Sequence, residues 1–404
     1  MGARHDDGSR AQGARMARRL NSAAPAGPRR EHAAARRNPV RIAAKALLAA
    51  SIVATLVCGL ATGLARLGLT LPTHALSRAA WHGVLMLPVF FGAVISLERA
   101  VALGHAWSFS APIAAVLSGI ALLAGAPVTL VQTGVLVASL VLVAGSVVVF
   151  ARQPALYLGV LAIAAACWSV GACIWLVTGD ALAAVPHWLA FVVLTIVAER
   201  LELTRMRPLR PRAIALFCVS IVVMLVSLVW VSVAPEAGIR LFAASIVLLA
   251  GWLAAYDIAR YTVRQKGLTR FIAVCLLSGY GWFAAAGVLG LEGALLSGHP
   301  WHDAALHAVT VGFVFSMVFG HAPIIVPAVS GLRVKYGPHF YLPLALLHAG
   351  LSLRVAGGIF GDFPLRRIGS EINAAALAVF AATLIAAVAS ARHAKRQEYR
   401  TNRI

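Results

Sequence analysis

The sequence predicts an all-α, polytopic membrane protein with about twelve transmembrane helices, and three observations predict it. Of 404 residues, 60% are apolar and only 12% carry charge, whereas soluble domains run nearer half apolar and a quarter charged. The mean hydropathy is +0.85. The apolar residues gather in runs of about twenty, the length a helix needs to cross a hydrocarbon layer of about 30 Å. Those runs must be helices, because lipid offers no partner to a free backbone N–H or C=O.

Apolar runs interrupted by charged, Gly and Pro breaks place spans at residues 42–65, 80–103, 109–126, 130–150, 155–177, 183–201, 213–234, 239–259, 270–290, 302–328, 338–360 and 370–391. Ahead of them, residues 1–41 lack apolar periodicity and read as a disordered, basic cytoplasmic arm suited to anionic lipid. The first run, Ile42 to Ala65, is too long for a secretory signal and has no clear cleavage site, so it reads as a retained span. Asp6, Asp7 and Glu31 speak against a transit peptide. In the second span Pro88 predicts a kink that frees the carbonyl of Val84. Pro323 and Pro327 loosen the far end of the tenth. Gly at 35 positions lets helices approach closely. Residues 392–404 form a basic tail.

The charges set the orientation. Lys and Arg outnumber Asp and Glu by 35 to 14, a formal charge of +21. Eleven of the basic residues lie between Arg4 and Lys45, and most of the rest sit in short loops. That distribution marks a cytoplasmic membrane face and argues against a nucleic-acid partner. With the arm cytoplasmic, the inner loops hold thirteen basic residues and the outer loops five: Arg66, Arg78, Arg240, Arg366 and Arg367. Both termini then lie inside, as in a multi-pass protein of a bacterial-type plasma membrane. The five cysteines, Cys58, Cys167, Cys173, Cys218 and Cys275, all fall inside apolar runs without a CxxC, and so read as small buried hydrophobes.

Ionisable residues inside spans are the candidates for function. Most here are histidines. His82 opens the second span, His187 the sixth, and His302 and His307 the tenth. All three helices run in the same direction, which puts these imidazoles at similar depth near the outer face, on every fourth helix. The second and sixth spans also share a Trp beside the His and an inner Glu–Arg pair, Glu98 with Arg99 and Glu199 with Arg200. A repeat of four spans taken three times would explain the pattern, with three four-helix arcs and the second, sixth and tenth helices facing inward.

Neutral imidazole is a common metal ligand and an axial ligand of haem iron, and two histidines on facing helices can hold one haem between them. His302 and His307 are five residues apart, ~140° around the helix, so one helix could serve two centres. His321, ~21 Å further along the tenth helix, and His348 in the eleventh span could form an inner polar site or a proton path, and both are also candidate metal ligands. Arg354, also in the eleventh span, suits a haem propionate or another anion. Asp257 is expected to pair with Arg260. His74, His105, His299 and His339 read as interfacial anchors, and Met86 as packing.

The stretch LHAVTVGFVFSMVFGHAPIIVPAVSG, Leu306 to Gly331, resembles the corresponding helix of the NnrS proteins. The HGVLM run from His82 is similar to the second-helix region of that family. The twelve-span layout resembles subunit I of haem-copper oxidases and nitric oxide reductases. The resemblance implies a membrane protein of nitric oxide, nitrosative or redox stress that holds haem through His82 and a tenth-helix histidine, with His187 as a copper ligand and a small diatomic or redox molecule as its partner. Residues 213–234 hold no histidine, and no span after the first holds a lysine. The resemblance therefore does not extend to oxygen reduction. Two other functions fit the same frame: a proton-coupled small-molecule transporter using the histidines with Glu98 and Glu199, and a haem or copper delivery factor.

Overall fold

The computed structural model describes residues 39–69, 76–206 and 208–401. Most of the basic arm, His74 and the end of the tail lie outside the described residues. The chain divides into two units, residues 1–50 and 51–404. Of the first, residues 39–50 are described, and they are helical. The second unit holds every side chain discussed below.

Among the described residues there is no strand. Twelve helices are long and apolar enough to cross a membrane, as expected of a multi-pass membrane protein. They are α1 (Pro39–Ala65), α2 (Ala79–Leu103), α3 (Ala106–Ala124), α4 (Val128–Arg152), α5 (Leu156–Thr178), α6 (Ala181–Leu203), α7 (Pro211–Val231), α8 (Pro235–Tyr256), α9 (Gly267–Leu291), α10 (His302–Ser330), α11 (Pro338–Phe360) and α12 (Phe363–Thr401). The largest departure from the sequence reading is at α12. Its first turn was expected to be an outer loop carrying Arg366 and Arg367. Only Gly361 and Asp362 separate α11 from α12, because Gly361 turns the chain at φ 72° and the Asp362 carboxylate accepts from the Leu365 N–H at 2.9 Å. Arg366 then lies over the Phe363 ring and Arg367 pairs with Glu371 at 3.0 Å, so both charges are carried on a helix.

From α2 onward each helix packs on its successor, and α6 also packs on α2 and on α10. Along their most apolar stretch, 61%, 72% and 61% of positions are buried in α2, α6 and α10, against 56% or fewer in every other span. These three helices, four apart in order, form the interior. Lipid is as apolar as leucine, so what joins them is close packing rather than escape from water. Gly92 of α2 shows how close: a Cβ there would stand 2.3 Å from the Trp168 ring of α5. Trp168 in turn stacks on Phe191 of α6, with ring centres 5.0 Å apart.

Both α2 and α10 widen into a π-helix just after their histidines, over Leu85–Phe91 and Ala308–Phe315. In α2 Pro88 supplies the cause, since it has no N–H to donate and its ring crowds the preceding turn. The two widened segments meet through Phe90, Phe91 and Phe315, whose rings lie 5.5–6.3 Å apart across the helices. Such insertions often sit at functional sites, because they re-aim the side chains on either side.

Candidate functional site

The site stands at the end of the bundle where α2 and α10 begin. His82 of α2 and His307 of α10 face each other with ring centres 6.3 Å apart and planes 14° from parallel. His82 Nδ1 lies 2.7 Å from the carbonyl oxygen of Gly59 in α1, and His307 Nδ1 lies 2.8 Å from that of Asp303, one turn earlier in its own helix. A carbonyl oxygen can only accept, so each ring carries its proton on Nδ1. Each Nε2 then carries the lone pair, and a ligating histidine is oriented in the same way, by a hydrogen bond from its other nitrogen.

α1 fits the His82 ring closely. A Cβ on Gly63 would stand 2.7 Å from both Cε1 and Nδ1 of the imidazole, and one on Gly59 would stand 2.7 Å from Met86 Sδ. The bare backbone of the GLATG run is thus what allows His82 to lie against α1 and bond its carbonyl. Met86 is packed on that helix, one turn beyond His82. On the other side, Arg354 of α11 grips Asp303 with two bonds, Nε to Oδ2 at 2.9 Å and Nη2 to Oδ1 at 2.8 Å. Asp303 Oδ1 is also 3.4 Å from His307 Nδ1. Arg354, read from sequence as an anion or propionate partner, therefore has one edge of its guanidinium committed to Asp303.

The remaining candidates do not join this pair. Among the described residues neither His187 nor His302 makes a ring contact with His82 or His307. His187 is 5% exposed, packs against the α5 backbone at Gly171 and leaves its Nδ1 unpartnered. His302 is set ~140° around α10 from His307 by their five-residue spacing. His348 is saturated: its Nδ1 accepts from Trp282 Nε1 at 3.0 Å, and its Nε2 donates to Ser278 Oγ at 2.9 Å. His321 is saturated too, with Nδ1 donating to the Met317 carbonyl at 2.7 Å and Nε2 accepting from Arg200 Nη1 at 3.2 Å. Geometry gives both a hydrogen-bonding rather than a ligating role. No group of three or more His, Cys, Asp or Glu able to hold a metal occurs among the described residues.

At the opposite end, α6 carries two ion pairs on different faces. Arg99 of α2 bridges Glu98, at 3.4 Å, and Glu199 of α6. Arg200 turns inward to Asp257, at 3.3 Å, with both side chains 3% exposed or less. This corrects the expected Asp257–Arg260 pairing: Arg260 lies over the Tyr261 ring and donates to the Ala255 carbonyl, while the buried Arg200 takes the carboxylate. Sequence reading did not single out Asp303, Gly59 or Gly63. The placement of Asp303 four residues before His307 was the available signal; nothing in α1 pointed at a histidine on another helix.

A search of curated proteins finds no match. A family model matches residues 44–389, nearly the whole described chain, and by it this protein belongs to the family described as a domain of unknown function, DUF8744.

Proposed function

We propose that this chain is a multi-pass membrane haem protein in which His82 and His307 would hold one haem, and that it transfers electrons in the nitric oxide or redox stress handling that its NnrS likeness implies. The observation that carries this is the pair itself: two imidazoles on interior helices, each with Nδ1 tied to a carbonyl and the lone pair on Nε2, 6.3 Å between ring centres. Two imidazoles ligating one metal through bonds of about 2 Å stand roughly 6 Å apart, centre to centre. Two protein ligands are enough, because a porphyrin brings its own four nitrogens. His82 and His307 would hold the haem, which would supply a one-electron redox centre.

The chain's own residues then have definite tasks. The carbonyls of Gly59 and Asp303 fix ring orientation and raise the basicity of each Nε2. Phe90, Phe91 and Phe315 pack the two widened helix segments together just beyond the pair. The basic loops favour cytoplasmic termini, which would put the pair near the extracytoplasmic surface. Copper has weaker support, since among the described residues no group of three or more possible ligands gathers at His187.

The test is a spectrum of the purified protein. We expect a Soret band and a pyridine haemochrome near one haem per chain, both lost in His82→Ala and His307→Ala. A folded, colourless preparation from haem-sufficient cells would overturn the proposal. Substoichiometric, readily exchanged haem would point to a delivery factor, and uptake into proteoliposomes driven by a pH gradient to a carrier.

A further inference from the structure

Two opposite charges sit beside His307, where membrane-spanning helices rarely carry them. Asp303 touches His307 Nδ1 twice, through its carbonyl oxygen at 2.8 Å and through Oδ1 at 3.4 Å. Both of its carboxylate oxygens are held by Arg354 at 2.8 and 2.9 Å. Asp303 and Arg354 also lie close enough to His82 to act on it electrostatically. The other charges within reach are Arg66, which acts on His82, and Arg366, which acts on Asp303. In a medium of low polarisability, with little salt to screen it, a unit charge at such range weighs heavily on any change of charge at the centre.

We propose that the Asp303–Arg354 ion pair sets the electron affinity of the centre held by His82 and His307, with Asp303 acting as a positioning residue for His307. This rests on the haem reading above. Together the two charges cancel, so the centre experiences a neutral pair. Removing one member leaves the other charge uncompensated, and the two deletions act in opposite senses. Without the Arg354 charge, the Asp303 carboxylate is released to draw on the Nδ1–H of His307, which makes that ligand more anionic and favours the oxidised iron. Without the Asp303 charge, Arg354 remains as a lone cation that favours the reduced iron. The process read out is a single electron added from dithionite, with no bond made or broken.

A tie between α10 and α11 that served stability alone would behave differently. Either deletion would then lower the melting temperature and leave the potential where it was. Redox titration of the purified holoprotein, followed by its Soret band, separates these cases. We expect Arg354→Gln to shift the midpoint potential downward and Asp303→Asn to shift it upward. Combining the two substitutions should return it toward the wild-type value. Arg354→Lys keeps the charge but loses the fork, so it should reduce stability with little change in potential, which separates the charge from the fold in the Arg354→Gln result. The double variant, which leaves no unpaired charge, serves if a single deletion fails to fold, and a potential far from the wild-type value there would overturn the inference. Holoprotein whose potential stays put in the single variants, or moves the same way in both, would overturn this inference while leaving the haem reading intact. Wild-type protein that binds no haem would overturn the haem reading instead.

Discussion

Replacing Gly63 with alanine adds one methyl group where α1 meets the His82 ring. The added carbon would stand 2.7 Å from Cε1 and Nδ1 and 3.2 Å from Nε2, where ordinary contact begins at 3.4 Å. Ring or helix must therefore yield by about 0.7 Å. The ring is not free to swing aside, because Gly59 of the same helix holds its Nδ1 at 2.7 Å. If α1 moves instead, that hydrogen bond stretches. Overpacking of this kind costs about 1–3 kcal/mol, and a weakened hydrogen bond adds about 0.5–1.5 kcal/mol. Misorienting a ligand through its support typically lowers metal affinity about 10–100-fold. The assay is titration of haemin into detergent-solubilised apoprotein, with Gly83→Ala as control. Gly83 adjoins His82 in sequence, but a methyl group there meets nothing within 4 Å. We expect Gly63→Ala to bind about 10–100-fold more weakly and Gly83→Ala to bind like wild type. Equal affinity in both variants would refute the claim that α1 aims this histidine.

Other substitutions probe the rest of the frame. Asp257→Ala strands Arg200, which is 2% exposed, and should destabilise the protein by about 3–5 kcal/mol in thermal denaturation. Glu371→Ala breaks a pair whose side chains are each 42% exposed and should cost about 0.3–0.5 kcal/mol; equal losses in the two variants would contradict the buried pairing. Gly92→Ala, whose methyl would meet Trp168 at 2.3 Å, should cost about 1–3 kcal/mol and alter tryptophan emission, and a silent variant would mean that α2 and α5 are less closely packed than described. Haem at a hundredfold excess over its dissociation constant should stabilise the wild-type protein by about 2.7 kcal/mol, a gain that should vanish in His307→Ala.

The spans were legible in the sequence because lipid fixes both the length and the conformation of whatever crosses it. Pro88 foretold a disturbance in α2, but Ala308–Phe315 contains no proline, and its π-helix left no comparable mark. That His82 and His307 stand at one level was legible from their spacing, since each lies at the start of its helix. Which of the histidines meet was not, because that depends on how each helix is rotated. The rotation of α2 is set by Gly59 and Gly63, on another helix, and the choice of His307 over His302 by packing along α10. Arg354 was legible as a buried cation, but its partner lies 51 residues away on a neighbouring helix. The same holds for Arg200 and Asp257, where a nearer arginine in sequence was the natural but incorrect partner.

The central claim is that His82 and His307 together grip one iron. Near-infrared magnetic circular dichroism of the oxidised, purified protein tests it most directly, because the position of the charge-transfer band identifies the pair of axial ligands. The account predicts a single low-spin centre with two imidazole ligands, converted in His307→Ala to a species that has lost one of them. A band from any other ligand pair, or a bis-imidazole signal that survives in both His82→Ala and His307→Ala, would contradict it.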